Sequence, residues 1–83
     1  MKVRAESDTR VGVSLWEDKK TGELAVFVYN TDFDVADIKI ITDGNYRAEL
    51  LTEDGNLSFL SEGNEFTLPL VEAFGVRVLK LTK

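Results

Sequence analysis

The chain has 83 residues, of which 43% are hydrophobic and 30% charged, and its mass is 9.3 kDa. A chain this short buries one hydrophobic core, so a single domain over residues 1–83 is predicted, with residues 1–9 as a tail or a weak first strand. The net charge of −5 and the scattered basic residues argue against nucleic acid or an anionic membrane as a partner. Without cysteine or histidine, the chain lacks a thiolate nucleophile, the usual zinc ligands and the commonest general base.

Targeting signals are absent from the sequence. No apolar stretch approaches the roughly 20 residues that span a bilayer, and the opening residues have no apolar segment of signal-peptide type. We therefore expect no membrane segment. The sequence leaves the location open, cytoplasmic by default, and does not support secretion unless a longer parent chain was trimmed. The chain has no glutamine and is rich in Glu and Lys, a composition typical of thermophilic proteins.

Apolar residues alternate with period two from Val11 to the C-terminus, and no segment shows the helical i, i+3, i+4, i+7 pattern. Turn signals arrive about every ten residues, at residues 18–22, 43–45, 54–56 and 62–64. This rhythm predicts an all-β fold, an antiparallel two-sheet β-sandwich of about seven or eight short, Greek-key-like strands. Pro69 is predicted to lie on an edge strand or at a position turned away from the ladder, because it has no N–H to give to a ladder. The predicted strands cover about residues 11–16, 24–29, 35–42, 46–52, 57–61, 65–71 and 75–81.

The core is predicted where aliphatic and aromatic residues fall on one side of each strand. These residues are Val11, Val13, Val26, Val28, Ile38, Ile40, Leu50, Phe66, Leu68, Val76 and Val78.

The first hairpin yields the candidate functional residues. A four-residue loop at residues 18–21 pairs the flanking strands so that Leu15 lies opposite Leu24. The same register sets Trp16 opposite Glu23, Gly12 opposite Phe27 and Arg10 opposite Tyr29. The predicted binding or docking surface, on the face away from the core, therefore consists of Trp16, Phe27, Tyr29 and Arg10.

Three aromatic side chains outside the core need a cover, and four explanations stay open. Residues 3–5 fold over them, or a register slip makes this the inner face. Alternatively, the surface docks another domain, or it stacks on a sugar.

Asn30, Asp32 and Asp34 imitate the opening of a calcium loop. The pattern fails at its sixth position, Val35, and at its twelfth, Ile41, where glycine and a bidentate glutamate are needed. We interpret the segment as an acidic turn whose side chains bond their own backbone. No metal site, cofactor or catalytic residue is predicted, and the other carboxylates are interpreted as solvated surface.

Three segments carry a family resemblance: LAVFVYNTD (residues 24–32), YRAELLTEDG (46–55), and FTLP (66–69) followed by AFGVRVLKL (73–81). Together they resemble the small C-terminal β-sandwich domain behind the catalytic barrel of many glycoside hydrolases, including α-amylase-like and β-galactosidase-like enzymes. Residues 70–73 depart from that pattern, which has a second proline directly before the aromatic residue. The resemblance implies a non-catalytic domain that packs on and stabilises the barrel, and it assigns no site residue.

The sequence thus predicts a non-enzymatic accessory domain whose partner is a catalytic domain, in the same chain or separate, of a carbohydrate-active enzyme. The alternative is a free-standing binding module that uses Trp16, Phe27 and Tyr29 for a sugar or a peptide.

Overall fold

The structure, a computed structural model, describes residues 2–83. All secondary structure in this range is β, and every strand pair is antiparallel, so the predicted all-β class is confirmed. The six strands are β1 (Val3–Glu6), β2 (Val11–Glu17), β3 (Leu24–Asn30), β4 (Ala36–Leu51), β5 (Leu57–Val71) and β6 (Val76–Thr82).

The strands form one continuous sheet, in the order β1-β4-β6-β3-β2, with β5 added beside β4. The first half of β4 pairs with β1 and its second half with β6, while β5 follows β4 over nearly its whole length. Strands β1 and β2, at the two ends of the order, lie side by side, so the sheet curls into a nearly closed barrel. The predicted sandwich of seven or eight strands in two sheets is therefore not confirmed.

Two of the predicted turns are bends inside long strands. Residues 43–45 of β4 face residue 64 of β5, and the register shifts there between the pairs Ile41–Glu65 and Tyr46–Gly63. The Thr42 hydroxyl donates to the carbonyl of Gly44 at 2.6 Å, which satisfies one acceptor that the bulge exposes. The prediction was wrong at these two places because the extra residues of β4 form a bulge, so the two strands bend without separating.

The turn predicted at residues 54–56 is confirmed. The Thr52 N–H donates to the Asn56 carbonyl at 2.8 Å, and the Gly55 N–H donates to the Thr52 carbonyl at 3.0 Å. Gly55 has a φ of 86°, a conformation that glycine adopts without steric cost. This turn joins β4 to β5 and makes them one long hairpin.

Pro69 lies where the sequence predicts. Among residues 2–83, β5 pairs with β4 alone, and the ladder shifts register beside Pro69, between the partners of Ala36 and Ile38. The missing N–H therefore removes no bond from a central strand.

The core fills the inside of the barrel with side chains from five strands. Most of the predicted core is confirmed, but Val76 and Val78 point outward, and Leu79 and Leu81 supply the inner face of β6. Val11, Val13 and Leu50 are half-buried and pack against the core. The fully buried side chains are Val3, Leu24, Val26, Val28, Ile38, Ile40, Phe66, Leu68, Val71, Leu79 and Leu81, with Asn30 among them.

Candidate docking surface

The β2–β3 hairpin sets the position of the candidate aromatic residues. Trp16 lies opposite Ala25, Ser14 opposite Phe27, and Gly12 opposite Tyr29. The predicted pairs were wrong by two residues, because the loop holds six residues and closes with a 2.9 Å bond from the residue 18 N–H to the residue 23 carbonyl. A shift of two leaves every side chain on its predicted face, since side chains alternate along a strand.

The face assignment rules out both explanations that would hide the aromatic residues. Leu24, Val26 and Val28 are buried, so the face of β3 that carries them is the inner face of the sheet. The aromatic residues lie on the other face. Val3 is buried in the core and β1 pairs with β4, so the N-terminal segment does not cover this surface. Trp16 remains 62% exposed and Phe27 41% exposed.

Tyr29 has a structural role on this face. Its ring lies across Gly12, where a Cβ would overlap the Cε2 and Cδ2 atoms. Its hydroxyl is hydrogen-bonded to the Ser14 hydroxyl at 2.7 Å. An aromatic ring over a strand glycine is a known packing device in β-sheets. The predicted register set Phe27 opposite Gly12, and the two-residue shift puts Tyr29 there instead.

Arg10 is separated from Trp16 by the whole of β2. It precedes that strand, and six residues of extended chain span about 20 Å. Its carbonyl accepts the N–H and the hydroxyl of Thr31, both at 2.8 Å, and its side chain is exposed. The structure therefore does not bring Arg10 together with Trp16.

Trp16 borders a shallow groove of about 220 Å³ with an almost wholly apolar lining. Its other apolar walls include the exposed Leu51 at the end of β4, the exposed Leu57 at the start of β5 and the half-buried Val78 in β6. Leu51 pairs directly with Leu57. Glu23 and Lys80 lie at the side of the groove, with 3.8 Å between carboxylate and ammonium.

The apolar surface continues beyond the groove. Phe27 lies opposite Val78 of β6, and Tyr29 lies opposite Val76. A cleft of about 750 Å³ shares Leu51 and Val78 with the groove. We call this continuous apolar surface the outer face; its members are the exposed Trp16, Phe27, Leu51, Leu57 and Val76 and the half-buried Val78.

An ion pair closes the far end of the outer face. Glu72 Oε2 and Arg77 Nη2 are 2.7 Å apart, and both residues line the larger cleft. The hydrogen bonds from the Arg77 guanidinium, together with its charge, lower the pKa of Glu72 to about 2. The same contact raises the pKa of Arg77. Both groups are therefore charged across the physiological range.

Sequence reasoning missed the residues that complete the outer face. Leu51, Leu57 and Val78 come from strands far from Trp16 in sequence, and no local signal joins them. Both faces of the last strand carry apolar residues, with Val76 and Val78 on one face and Leu79 and Leu81 on the other. The sequence alone therefore did not decide which face of β6 points into the core.

The segment of Asn30, Asp32 and Asp34 is a hydrogen-bonded turn. Asn30 is buried, and its Nδ2 donates to the carbonyls of Asp34 at 2.7 Å and of Val71 and Glu72 at 3.2 Å. Its Oδ1 accepts the Asp32 N–H at 3.0 Å. The interpretation as side chains bonding their own backbone is confirmed. In residues 2–83 no three metal-ligating side chains converge.

Comparisons of the chain with protein-family models, with curated proteins and with solved structures gave no match. Over the described residues there is no helix of the length and apolarity needed to cross a membrane.

Proposed function

We propose that the chain is a non-catalytic accessory domain that binds a partner protein domain through the outer face. The observation that carries the proposal is the exposure of Trp16, 62%, at the border of an apolar groove to which four other strands contribute. Exposed apolar surface costs free energy in water, and large continuous patches of it mark interaction sites.

The composition of the outer face fits a protein interface. Its centre is aromatic and aliphatic, while the charged pairs Glu23–Lys80 and Glu72–Arg77 lie at its edges. Interfaces have this arrangement because charges are costly to desolvate at the centre and remain hydrated at the rim. Tryptophan is among the residues that contribute most to binding when truncation is measured.

The resemblance of residues 24–81 to the C-terminal domain of glycoside hydrolases indicates the class of partner. In those enzymes the small β-domain packs against the catalytic barrel and stabilises it. We therefore propose the catalytic domain of a carbohydrate-active enzyme as the partner, joined to this chain or encoded beside it.

A sugar-binding module is the second candidate. The exposed Trp16 ring lies next to the carboxylate and the ammonium groups of Glu23 and Lys80. An apolar ring with hydrogen-bonding groups at its side is the arrangement that a pyranose needs.

The test measures the affinity of this chain for the catalytic domain encoded in the same or the adjacent gene, by isothermal titration calorimetry. Trp16→Ala is expected to weaken binding about 30-fold, which corresponds to about 2 kcal/mol. Thr67→Ala truncates an exposed side chain of β5 that lines neither the groove nor the larger cleft and is expected to change the affinity by less than threefold.

Equal losses for the two variants would overturn docking through the outer face. The absence of any carbohydrate-active domain from the gene neighbourhood would overturn the proposed class of partner. The sugar-binding alternative predicts a saturable change in tryptophan fluorescence with maltoheptaose or cellohexaose. Trp16 is the sole tryptophan, so this signal reports on the groove directly.

A further inference from the structure

A second exposed apolar surface lies at one end of the barrel. Four side chains compose it, and we call it the tip: Phe33 is 83% exposed, Val35 57%, Leu70 72% and Phe74 58%. The first two lie in the connection from β3 to β4, and the other two lie at the end of β5 and in the turn before β6. The Phe33 and Phe74 rings meet edge to face, with 5.0 Å between centroids.

The buried Asn30 joins the two connections by hydrogen bonds on the core side of the tip. Its single amide nitrogen donates to the Asp34 carbonyl of one connection and to the Val71 and Glu72 carbonyls of the other. The tip is thus fixed to the core by hydrogen bonds and presents its apolar side chains in a set arrangement. Preorganisation of this kind lowers the entropy lost on binding.

The backbone of the tip is strained at two apolar residues. Leu70 has a φ of 51° and Phe74 a φ of 58°, a region that residues with a Cβ rarely adopt. Phe74 occupies the third position of a turn closed by a 2.9 Å bond from the Gly75 N–H to the Glu72 carbonyl, where glycine is usual. Both side chains point into solvent, so burial does not offset this strain.

Carboxylate groups lie beside the apolar side chains of the tip. Asp32 Oδ1 accepts the Phe33 N–H at 2.6 Å, and Asp37 Oδ1 accepts the Leu70 N–H at 2.9 Å. Asp34 lies between Phe33 and Val35 in the chain.

The tip therefore carries an excess of negative charge. Its four carboxylates, including Glu72, outnumber the two guanidinium groups that act on them: Arg77 pairs with Glu72, and the charge of Arg10 acts on Asp32 without a salt bridge. Among residues 2–83 no Lys or Arg forms a salt bridge with Asp32, Asp34 or Asp37. Backbone N–H groups lower the pKa of Asp32, which keeps it ionised.

We propose that the tip is a docking site for a cationic amphipathic segment of a partner protein, with apolar side chains on Phe33 and Phe74 and Lys or Arg side chains on the surrounding carboxylates. The apolar side chains of this site are distinct from those of the outer face, which it adjoins at Glu72, and Trp16 lies at the opposite end of the β2–β3 hairpin, about 20 Å away along the strands. Charge complementarity selects this occupant, because the same carboxylates repel an anionic lipid surface.

The probe for this site is a 14-residue amphipathic peptide made only of Leu and Lys, and its matched control carries Glu in place of every Lys. Backbone amide chemical shifts of the full chain are recorded during titration. The Lys peptide is expected to give saturable shifts at Phe33, Leu70 and Phe74, with an affinity that falls at least tenfold between 20 and 500 mM NaCl. The Glu peptide is expected to cause no shifts.

Two variants separate loss of binding from loss of folding. Phe74→Gly removes an apolar contact and also releases backbone strain, so the fold is retained while the affinity for the Lys peptide is expected to fall at least tenfold. Asp34→Asn is expected to weaken binding and to reduce its dependence on salt. Phe59→Ala, an exposed aromatic residue away from the tip, is expected to leave binding unchanged.

The proposal is overturned if the Lys peptide produces no saturable shifts, if the shifts centre on Trp16, or if both peptides bind equally. Tip shifts on phosphatidylcholine vesicles without binding of the Lys peptide would assign the tip to a membrane instead. Concentration-dependent tip shifts without peptide would assign it to a second copy of the chain.

Discussion

The Tyr29 ring occupies the space that a side chain on Gly12 would need. Gly12→Ala places a Cβ against the ring and is expected to destabilise the chain by about 1–3 kcal/mol, because the ring must move and its bond to Ser14 is lost. Urea unfolding measures the change. Gly44→Ala is the control: no atom lies within 4 Å of the added Cβ, so a change within about 0.5 kcal/mol is expected. Equal effects at the two positions would contradict the role of Tyr29.

The exposure of Trp16 predicts that its truncation leaves the isolated chain folded. Trp16→Ala is expected to change the free energy of unfolding by less than about 1 kcal/mol, since the exposed ring has little burial to lose. Leu24→Ala, in the buried row of β3, is expected to cost about 2–5 kcal/mol in the same urea experiment. A loss of that size for Trp16→Ala would place the ring in the core and remove the basis of the outer face.

Asn30 joins the two connections under the tip, so its removal is expected to loosen both. Asn30→Ala leaves the buried Val71 carbonyl without this donor and is expected to cost about 1–3 kcal/mol in urea unfolding. Amide exchange should also quicken in residues 31–35 and 72–75. Asn45→Ala, an exposed asparagine in β4, serves as the control, with an expected change of at most about 0.5 kcal/mol. Unchanged exchange in Asn30→Ala would contradict the link between the connections.

The Glu72–Arg77 pair predicts a dependence of stability on acid pH. The pKa of Glu72 is lowered to about 2, so its contribution is present above the ordinary carboxyl range and is lost as the pH falls towards 2. Wild type is therefore expected to be more stable than Glu72→Gln at pH 6, and the difference should vanish near pH 2. Because the pair is exposed, 1 M NaCl should reduce the difference. A difference that grows on acidification would contradict this assignment.

The hairpin of β2 and β3 shows how far the sequence predicts the candidate site. Alternation with period two assigned Trp16 and Phe27 to the outer face, and an error of two residues in register did not alter that assignment. Leu51 and Leu57 could not be predicted as their neighbours, because strand order is decided by contacts between distant parts of the chain.

The long hairpin of β4 and β5 shows where the fold prediction fails. Residues 43–45 and 54–56 are both Asp-Gly-Asn, yet the first trio is a bulge and the second is a turn. Local turn propensity is the same in both. The difference comes from the strand opposite: β5 continues past the bulge, with Gly63 and Glu62 paired to Tyr46 and Arg47, and keeps the ladder intact beyond it.

Strand β4 has three pairing partners, β1, β5 and β6, and this joins the two ends of the chain to one central element. Neither terminal strand can detach without exposing an edge of β4. Partial opening is therefore costly everywhere along this strand. Native-state hydrogen exchange should find its slowest amides in β4, released only when the whole molecule unfolds.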